Sequence, residues 1–219
     1  MTIIHSSWLR FQILMERWQG LDFTRCNLHP SDLGLNDDEV AIPAPSGDRF
    51  LVRVFEEMGI QPSDNVLDIG CAKGSALRRL SQFPFTRAEG LELASELAAI
   101  ACHNFARLQR PQVKIHCLDA RSFTGFNDFN FFYLYNPFSN PILEGVLKSL
   151  TAQVDAGRER IVVYNNPIGH ALMLQHGFAP MRRYPDFWGH GIVVYSNRPA
   201  QSRLGAARPV TVSASGVSA

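Results

Sequence analysis

The 219-residue chain lacks the features that mark several classes of protein. Its longest unbroken apolar run is Leu97 to Cys102, whereas a membrane-spanning helix needs about 20 such residues. Its 4 cysteines form no C-x-x-C pair and no disulfide framework of a small domain, so we expect free buried thiols. No metal-ligand spacing stands out, so we expect no metal site. The net charge is only +1, which does not indicate a nucleic-acid binder. An apolar content of 46% instead predicts a folded domain with a core of its own.

The two ends of the chain carry weaker signals. No secretory signal peptide is recognisable, because the first basic residue is Arg10 and Glu16 and Arg17 interrupt the apolar residues that follow. We therefore expect a cytoplasmic protein. Residues 199–219, rich in Ala, Ser, Gly and Val, predict a disordered tail.

Residues 1–47 predict a helical extension that precedes the main domain. Trp8, Phe11, Met15 and Trp18 recur at helical spacing, and residues 20–47 are broken by Gly and Pro. The apolar stripe is typical either of a helix packed on the domain or of a lid over a ligand. We expect residues 1–47 to cover the bound ligand, and a chain that starts at residue 48 to fold without them.

From residue 48 to residue 198 the pattern is that of one α/β domain. Apolar strands alternate with amphipathic helices, which predicts a parallel sheet with helices on both faces. The last two strands have no helix between them and must pair antiparallel. The predicted strands are 65–69, 86–92, 113–118, 128–135, 160–164, 178–184 and 192–197, and the predicted helices are 48–58, 75–82, 95–108, 141–154 and 169–175.

The most informative segment is Val66-Leu67-Asp68-Ile69-Gly70-Cys71-Ala72-Lys73-Gly74, a strand that runs into a glycine turn before a helix. Glycines allow a ligand to approach the backbone, and the helix start offers free N–H groups. A dinucleotide-binding turn has the spacing G-x-G-x-x-G, which Gly70 and Gly74 do not match. The carboxylate of Asp68 suits a cationic group better than a pyrophosphate.

Two further acids end the next strands. Glu92 follows Asp68 by about the spacing at which doubly wound folds place an acid on ribose hydroxyls. Asp119 ends the strand after that. Because the carboxyl ends of parallel strands meet at one edge of a sheet, we expect these three carboxylates on one ligand-binding rim.

At these residues the chain resembles the class I S-adenosylmethionine-dependent methyltransferases. Val66–Gly74 matches the family's first motif, Glu89-Gly90-Leu91-Glu92 the second, and Asp119-Ala120 the adenine-side position. The strings QFPF, GLELASELAAIA and YLYNPF look like small bacterial methyltransferase-domain proteins that are loosely grouped with the non-SET histone-lysine methyltransferases. The resemblance implies a Rossmann-like three-layer sandwich whose seven-stranded, mostly parallel sheet ends in an antiparallel hairpin.

The resemblance also implies a cofactor, S-adenosylmethionine, and roles for single residues. Asp68 would face the amino group of the methionine part, Glu92 would hold the ribose hydroxyls with Leu93 beside it, and Asp119 would reach the adenine amino group. Lys73 is either a cation near the cofactor carboxylate or a solvated residue at a helix start. Backbone contacts to the cofactor would come from Gly70, Cys71, Ala72 and Gly74, with Ala120 flanking the adenine and Asn136 near the methyl group; Ala72 stands where the family often has Gly.

The reacting atom would lie at the end of the aromatic strand, at Tyr135-Asn136-Pro137-Phe138. This turn resembles the Asn-Pro-Pro-aromatic motif of amino-group methyltransferases but lacks one proline. A carbonyl of Asn136 or Pro137 would accept a hydrogen bond from an amine while the aromatic rings pack on the substrate. His170 is either a general base or a surface residue. We expect N-methylation of a protein or small-molecule amine; an O-methyltransferase and a non-catalytic cofactor-binding module stay open.

Overall fold

A computed structural model describes residues 2–25, 28–47, 49–152, 157–185 and 191–205, with side chains from residue 9 onward. Its centre is a seven-stranded sheet in the order β3-β2-β1-β4-β5-β7-β6. The strands are β1 (Asn65–Ile69), β2 (Arg87–Glu92), β3 (Val113–Cys117), β4 (Phe131–Tyr135), β5 (Ile161–Asn165), β6 (Ala179–Tyr184) and β7 (Ile192–Ser196).

The strand directions confirm the predicted sheet. β1 to β5 pair in parallel, whereas β7 pairs antiparallel with both β5 and β6. One predicted boundary is wrong. The aromatic strand begins at Phe131 rather than at residue 128, because Phe126–Asp128 forms a turn of 3-10 helix instead.

Helices cover both faces of the sheet, as expected. Along β1 and β4 successive side chains alternate, so that Val66 and Phe131 join one buried cluster while Leu67 and Phe132 join the other. The result is the three-layer sandwich of the prediction. The helices are α1 (Thr2–Trp18), α2 (Arg49–Glu56), α3 (Ser75–Leu80), α4 (Ser95–Arg107), α5 (Asn140–Ala152) and α6 (His170–Gln175).

The N-terminal extension is attached to the domain by its middle. Leu21 and Phe23 are buried in one of the two core clusters, and the Phe23 ring lies 5.8 Å from that of Phe105, edge to face. The segment before residue 48 therefore contributes to the core. The boundary at residue 48 stays a prediction, and a chain cut there would lose these two core residues.

Helix α1 itself is oriented opposite to the expectation. Phe11, Met15 and Trp18 are exposed, so their stripe neither packs on the domain nor covers a ligand. The fourth member, Trp8, has a side chain outside the described part. Among the side chains of α1 that the structure describes, the buried one is that of Glu16, whose carboxylate accepts hydrogen bonds from the backbone N–H groups of Phe23 and Thr24.

Two smaller expectations also need correction. Residues 199–205 are ordered, because Arg203 bonds Asp64 at 2.7 Å and Leu204 is buried in the core; residues 206–219 lie outside the described part. The thiols of Cys71, Cys102 and Cys117 are free as expected, but only Cys71 is buried. Cys26 lies outside the described residues.

Candidate functional site

A large cavity lies at the carboxyl ends of β1, β2 and β4. Its empty volume is about 1080 Å³, which includes space that is open to solvent. The floor is formed by the turns that follow these strands, and the residues of the extension form the opposite wall. The sequence-predicted residues that line the cavity are Asp68, Gly70, Cys71, Ala72, Lys73, Glu92, Leu93, Asp119, Ala120, Tyr135 and Phe138.

The turn after β1 is held tightly against the sheet. The backbone N–H groups of Gly70 and Cys71 both donate to the carbonyl of Leu91, each at 2.9 Å. Gly70 has φ +79°, and a Cβ there would come within 2.6 Å of the Pro137 side chain. Only glycine can hold this turn so close to the turn that follows β4.

The same turn contains a non-glycine residue in the left-handed region. Ala72 has φ +46°, a backbone conformation that is unfavourable for alanine but not for glycine. Its N–H donates to Oε2 of Glu92 at 2.8 Å. The alanine that departs from the resembled motif therefore keeps the glycine-like backbone and is fixed by the acid of the neighbouring strand. Gly74, the last glycine of the motif, has φ +85° and abuts the Phe105 ring.

Asp68 is a buried carboxylate with an unused acceptor. Its Oδ2 has no hydrogen-bond partner among the described residues. Burial raises the pKa of Asp68 well above its ordinary value, and the nearby charge of Glu92 raises it further. An oxygen of this kind is costly unless something donates to it. The cavity in front of Asp68 therefore favours a ligand with a cationic hydrogen-bond donor.

Glu92 is buried at the end of β2 and is partly satisfied by backbone groups. Its Oε1 accepts from the N–H of Ala94, and its Oε2 from the N–H of Ala72, both at 2.8 Å. Burial raises the pKa of Glu92, while these hydrogen bonds oppose the rise. A carboxylate has about four acceptor sites, so Glu92 keeps acceptor capacity for a hydroxyl donor in the cavity. The neighbouring Leu93 is exposed and adds an apolar surface.

Asp119 already has a partner of its own. Both of its carboxylate oxygens contact the guanidinium of Arg121, with 2.6 Å from Nη2 to Oδ2 and 3.1 Å from Nε to each oxygen. This pairing lowers the pKa of Asp119. The adenine contact of Asp119 stays a prediction, and any such contact must share the carboxylate with Arg121. Ala120 is buried beside it.

The position of Lys73 matches neither of its two interpretations, a cation near the cofactor carboxylate or a solvated residue at a helix start. Its ammonium is buried and lies 2.7 Å from Oδ2 of Asp22 and 2.6 Å from the carbonyl oxygen of Arg25. Asn104 completes the link, because its side chain bonds the backbone of Asp22 and the carbonyl of Lys73. Lys73 is thus neither solvated nor free for a ligand carboxylate; it ties the glycine turn to the extension.

The turn after β4 faces the cavity in part. Tyr135, Pro137 and Phe138 line it, whereas Asn136 does not. Asn136 has φ +39°, and its Oδ1 lies 3.5 Å from the hydroxyl of Tyr164, a long contact. The predicted contact of Asn136 with the reacting group stays a prediction that requires its side chain to turn.

Residues 30–46, which we call the roof segment, close the cavity from above. Val40 forms an antiparallel bridge with Phe138, the Ala41 N–H donates to the carbonyl of Pro137 at 3.1 Å, and the Ser139 N–H donates to the carbonyl of Glu39 at 2.8 Å. The carbonyl of Pro137, an expected acceptor for an amine, is therefore already bonded to the chain itself. The cover over the cavity comes from this irregular segment and not from helix α1.

His170 lies outside the cavity lining. Its Nδ1 is 2.7 Å from the hydroxyl of Tyr195. Burial, and then the charge of Arg183, lowers the pKa of His170, so the imidazole is neutral at pH 7. A neutral imidazole can act as a base, but nothing in this geometry brings it to the cavity, and its catalytic role stays a prediction. Trp188 and His190, expected near the substrate mouth, are outside the described residues.

Sequence reasoning missed several residues of the cavity wall. Residues 1–47 were expected to cover the ligand, but no residue of the roof segment was singled out as lining the cavity, and neither were Tyr133, Ile142 and Arg121. The proline-rich stretch Ile42-Pro43-Ala44-Pro45 was the available signal, since such extended backbone without regular pairing needs another surface to lie on. Within the described ranges, no helix is long and apolar enough to cross a membrane, and no cluster of three metal-ligating side chains occurs.

No protein-family model matches the chain, and no curated protein matches it in sequence. Solved structures do match. A SAM-dependent methyltransferase from Aquifex aeolicus is 13% identical, with a TM-score of 0.54 over 69% of this chain and 93% of that one. An RNA methyltransferase from Salinibacter ruber in complex with S-adenosyl-L-homocysteine is 17% identical, with a TM-score of 0.51 over 70% and 92%.

The mitomycin 7-O-methyltransferase MmcR is 15% identical, with a TM-score of 0.51 over 67% of this chain and 52% of its own. At such low identities these likenesses show the fold and nothing finer. The strand order and the antiparallel β7 are those of the class I methyltransferase fold, which this chain therefore has.

Proposed function

We propose that this protein is an S-adenosylmethionine-dependent methyltransferase. The observation that carries the proposal is the unpartnered, buried Oδ2 of Asp68, a residue that lines the cavity. The methionine part of the cofactor has an ammonium group that satisfies such an oxygen. A nicotinamide dinucleotide would instead place a pyrophosphate near the glycine turn, where the charge of Asp68 repels it.

The rest of the cavity agrees with the same cofactor. Glu92 keeps acceptor capacity for ribose hydroxyls, and Leu93 and Ala120 offer apolar surface for a purine. The turn at Gly70 presents its backbone to the ligand at the start of a helix. The structural neighbours are methyltransferases, and one of them holds S-adenosyl-L-homocysteine, which supports the assignment.

The chemistry asks little of the protein in covalent terms. The cofactor supplies an electrophilic methyl group on a cationic sulfur. The chain would orient the cofactor, because Asp68 would hold its methionine part and Glu92 its ribose, while the roof segment lies over the cavity. Orientation of this kind is worth about 7–11 kcal/mol of a barrier in favourable cases. Tyr135 and Phe138 would press the acceptor molecule against the methyl side.

Calorimetry tests the cofactor directly. We expect S-adenosylmethionine and S-adenosylhomocysteine each to bind one site per chain, and NAD to give no heat of binding at the same concentrations. Binding of NAD without S-adenosylmethionine would remove the proposal. The bacterial origin and the cytoplasmic location stay predictions.

For the acceptor we propose a nitrogen atom of a small-molecule or protein amine. The Asn136-Pro137 turn at the end of β4 supports it, although the Pro137 carbonyl is bonded to Ala41 and Asn136 faces Tyr164. An amine must therefore displace the roof segment at this point. The alternative is an oxygen acceptor. It is favoured because the Pro137 backbone carbonyl and the Asn136 side-chain carbonyl both already accept hydrogen bonds within the chain.

The variant Asn136→Gly separates these acceptors. Glycine removes the amide but tolerates φ +39°, so the backbone of the turn is kept, which alanine would not do without strain. Affinity for S-adenosylmethionine should stay within about twofold, since Asn136 does not line the cavity. Turnover of an amine should fall about 5- to 150-fold, the equivalent of one lost hydrogen bond of about 1–3 kcal/mol.

The measurement is S-adenosylhomocysteine release with a panel of primary amines and a matched panel of phenols and alcohols. Asn140→Gly, at the exposed start of α5, is the control and should leave both unchanged. If the wild-type protein turned over only the hydroxyl compounds, or if Asn136→Gly kept full amine turnover, the nitrogen assignment would be wrong.

A further inference from the structure

From residue 9 to its end, helix α1 displays its apolar face to solvent. Phe11, Leu14 and Trp18 are spaced three and four residues apart, and they are 60%, 63% and 81% exposed. Met15 widens the same stripe at 39%. Residues at this spacing form one continuous face of a helix. An amphipathic helix of a globular protein normally turns such a face inward, so α1 is inverted.

The inversion is fixed by polar contacts on the opposite side of the helix. The Glu16 carboxylate accepts from Thr24 Oγ1 at 2.7 Å and from the Thr24 N–H at 2.9 Å, and Gln12 donates to Thr24 Oγ1 at 2.9 Å. Arg78 of α3 lies 3.4 Å from Glu16 as well. Because a buried carboxylate with these partners cannot be turned to water without leaving them unpaired, the apolar face is held outward.

Outside α1, the exposed large apolar residues of the described part are fewer in any one segment. Ile42 comes from the roof segment, and Ile168 and Leu174 from the region of α6, and single exposed apolar residues are ordinary for a folded protein. Four large side chains on one helix face are a contiguous patch, and patches of this kind mark an interaction surface. The question is which surface they bind.

The exposed charged residues that α1 itself contributes from Leu9 onward are positive. Of the charged residues from Leu9 to the end of α1, Glu16 is buried, whereas Arg10 and Arg17 are exposed. At the end of the helix the Arg107 guanidinium donates to the carbonyl of Gln19, and His103 contacts the carbonyl of Gly20. Trp, Phe and Leu on one face with arginines beside them are typical of helices that lie in the interface of an anionic membrane.

We propose that the outer face of α1 binds the surface of an anionic lipid bilayer. The aromatic and aliphatic side chains enter the headgroup region, and Arg10 and Arg17 contact lipid phosphates. A second copy of the chain is a poorer occupant, since packing two stripes together would bring the arginines of both copies close to one another. A bilayer requires no change in the domain, because the stripe is already exposed.

Co-sedimentation with vesicles tests the proposal on the full-length protein. We expect binding to vesicles of phosphatidylcholine with one quarter phosphatidylglycerol, and little binding to phosphatidylcholine alone. The triple variant Phe11→Ser, Leu14→Ser, Trp18→Ser should lose at least about 100-fold in partitioning. The double variant Ile168→Ser, Leu174→Ser, which removes exposed apolar side chains elsewhere, should bind like the wild type.

The arginines are tested separately, because they act by charge. Arg10→Gln and Arg17→Gln should each reduce binding about fivefold, and both together about 25-fold, with the loss shrinking at high salt. Unfolding temperatures should stay those of the wild type, since none of these side chains is buried. Equal binding of the wild type and the triple variant, or a wild-type dimer that the triple variant makes monomeric and that ignores vesicles, would overturn the proposal.

Discussion

Replacing Glu92 by alanine should weaken the binding of S-adenosylmethionine about 100-fold or more. Two ribose hydroxyls would lose a charged acceptor, and each such hydrogen bond is worth about 1.5–3 kcal/mol. The same carboxylate also holds the N–H groups of Ala72 and Ala94, so its removal loosens the turn after β1 that contacts the rest of the cofactor. Isothermal titration at pH 7 measures the change.

A matched control for this variant lies four residues further along the chain. Glu96 is an exposed acid in the first turn of α4 and does not line the cavity, so Glu96→Ala removes the same charge and the same atoms. We expect its affinity to equal that of the wild type. If Glu92→Ala and Glu96→Ala bound the cofactor equally well, the ribose contact assigned to Glu92 would be wrong.

Asp68→Asn should make the ligand-free protein more stable and the cofactor bind more weakly. An unpartnered buried carboxylate costs at least about 1–3 kcal/mol, and the neutral amide removes most of that penalty. For a chain of this size we expect the unfolding temperature to rise by about 2–4 °C per kcal/mol. Affinity for S-adenosylmethionine should fall about 10- to 100-fold, because the ammonium group loses a charged partner.

The difference in stability between the wild type and Asp68→Asn depends on pH. The pKa of Asp68 is raised in the folded protein, so the folded state holds this proton more tightly than the unfolded chain does. The stability that the protonated Asp68 contributes is complete below the ordinary aspartate pKa of 3.8, and it is lost as the pH rises through the raised pKa of the folded protein. Urea unfolding between pH 4 and pH 8 should therefore show a steeper loss of stability for the wild type than for Asp68→Asn.

Asp64 provides the control at the other end of β1. It is buried as well, but its carboxylate bonds Arg203 and Asn130 and the N–H of Gln61, each at 2.7 Å. Asp64→Asn should destabilise the protein, because it weakens satisfied contacts, and should leave cofactor affinity unchanged. A wild type that is as stable as Asp68→Asn at every pH would show that the Asp68 carboxylate carries no penalty.

The sheet could be predicted from the sequence because its strands are short, apolar and mostly buried on both faces. β1 and β5 were located almost to the residue, and the missing helix between β6 and β7 sufficed to predict their antiparallel pairing. The rim acids could be placed because each one ends a strand. A residue at such a point has its position determined by the sheet alone.

Helix α1 and the roof segment could not be predicted in the same way. Periodicity locates the apolar face of a helix, but it does not show which face packs inward. Here the polar face packs inward, because the buried Glu16 carboxylate accepts a hydrogen bond from the backbone N–H of Thr24, eight residues further along. The roof segment depends on pairing across about a hundred residues, from Val40 to Phe138. The hydrogen-bond partners of Lys73 and Asp119 likewise depend on side-chain conformations that cannot be inferred from the spacing of residues in the sequence.

The closeness of Gly70 and Pro137 has a consequence for how ligands bind in the two halves of the cavity. Two turns, one expected at the methyl donor and one at the acceptor, lie so close that a Cβ on Gly70 would meet Pro137 at 2.6 Å. A shift of the Gly70 turn toward Pro137 would therefore press on the second turn. We expect occupancy of one half of the cavity to change the affinity of the other half, and thermodynamic reciprocity makes such a change equal in both directions.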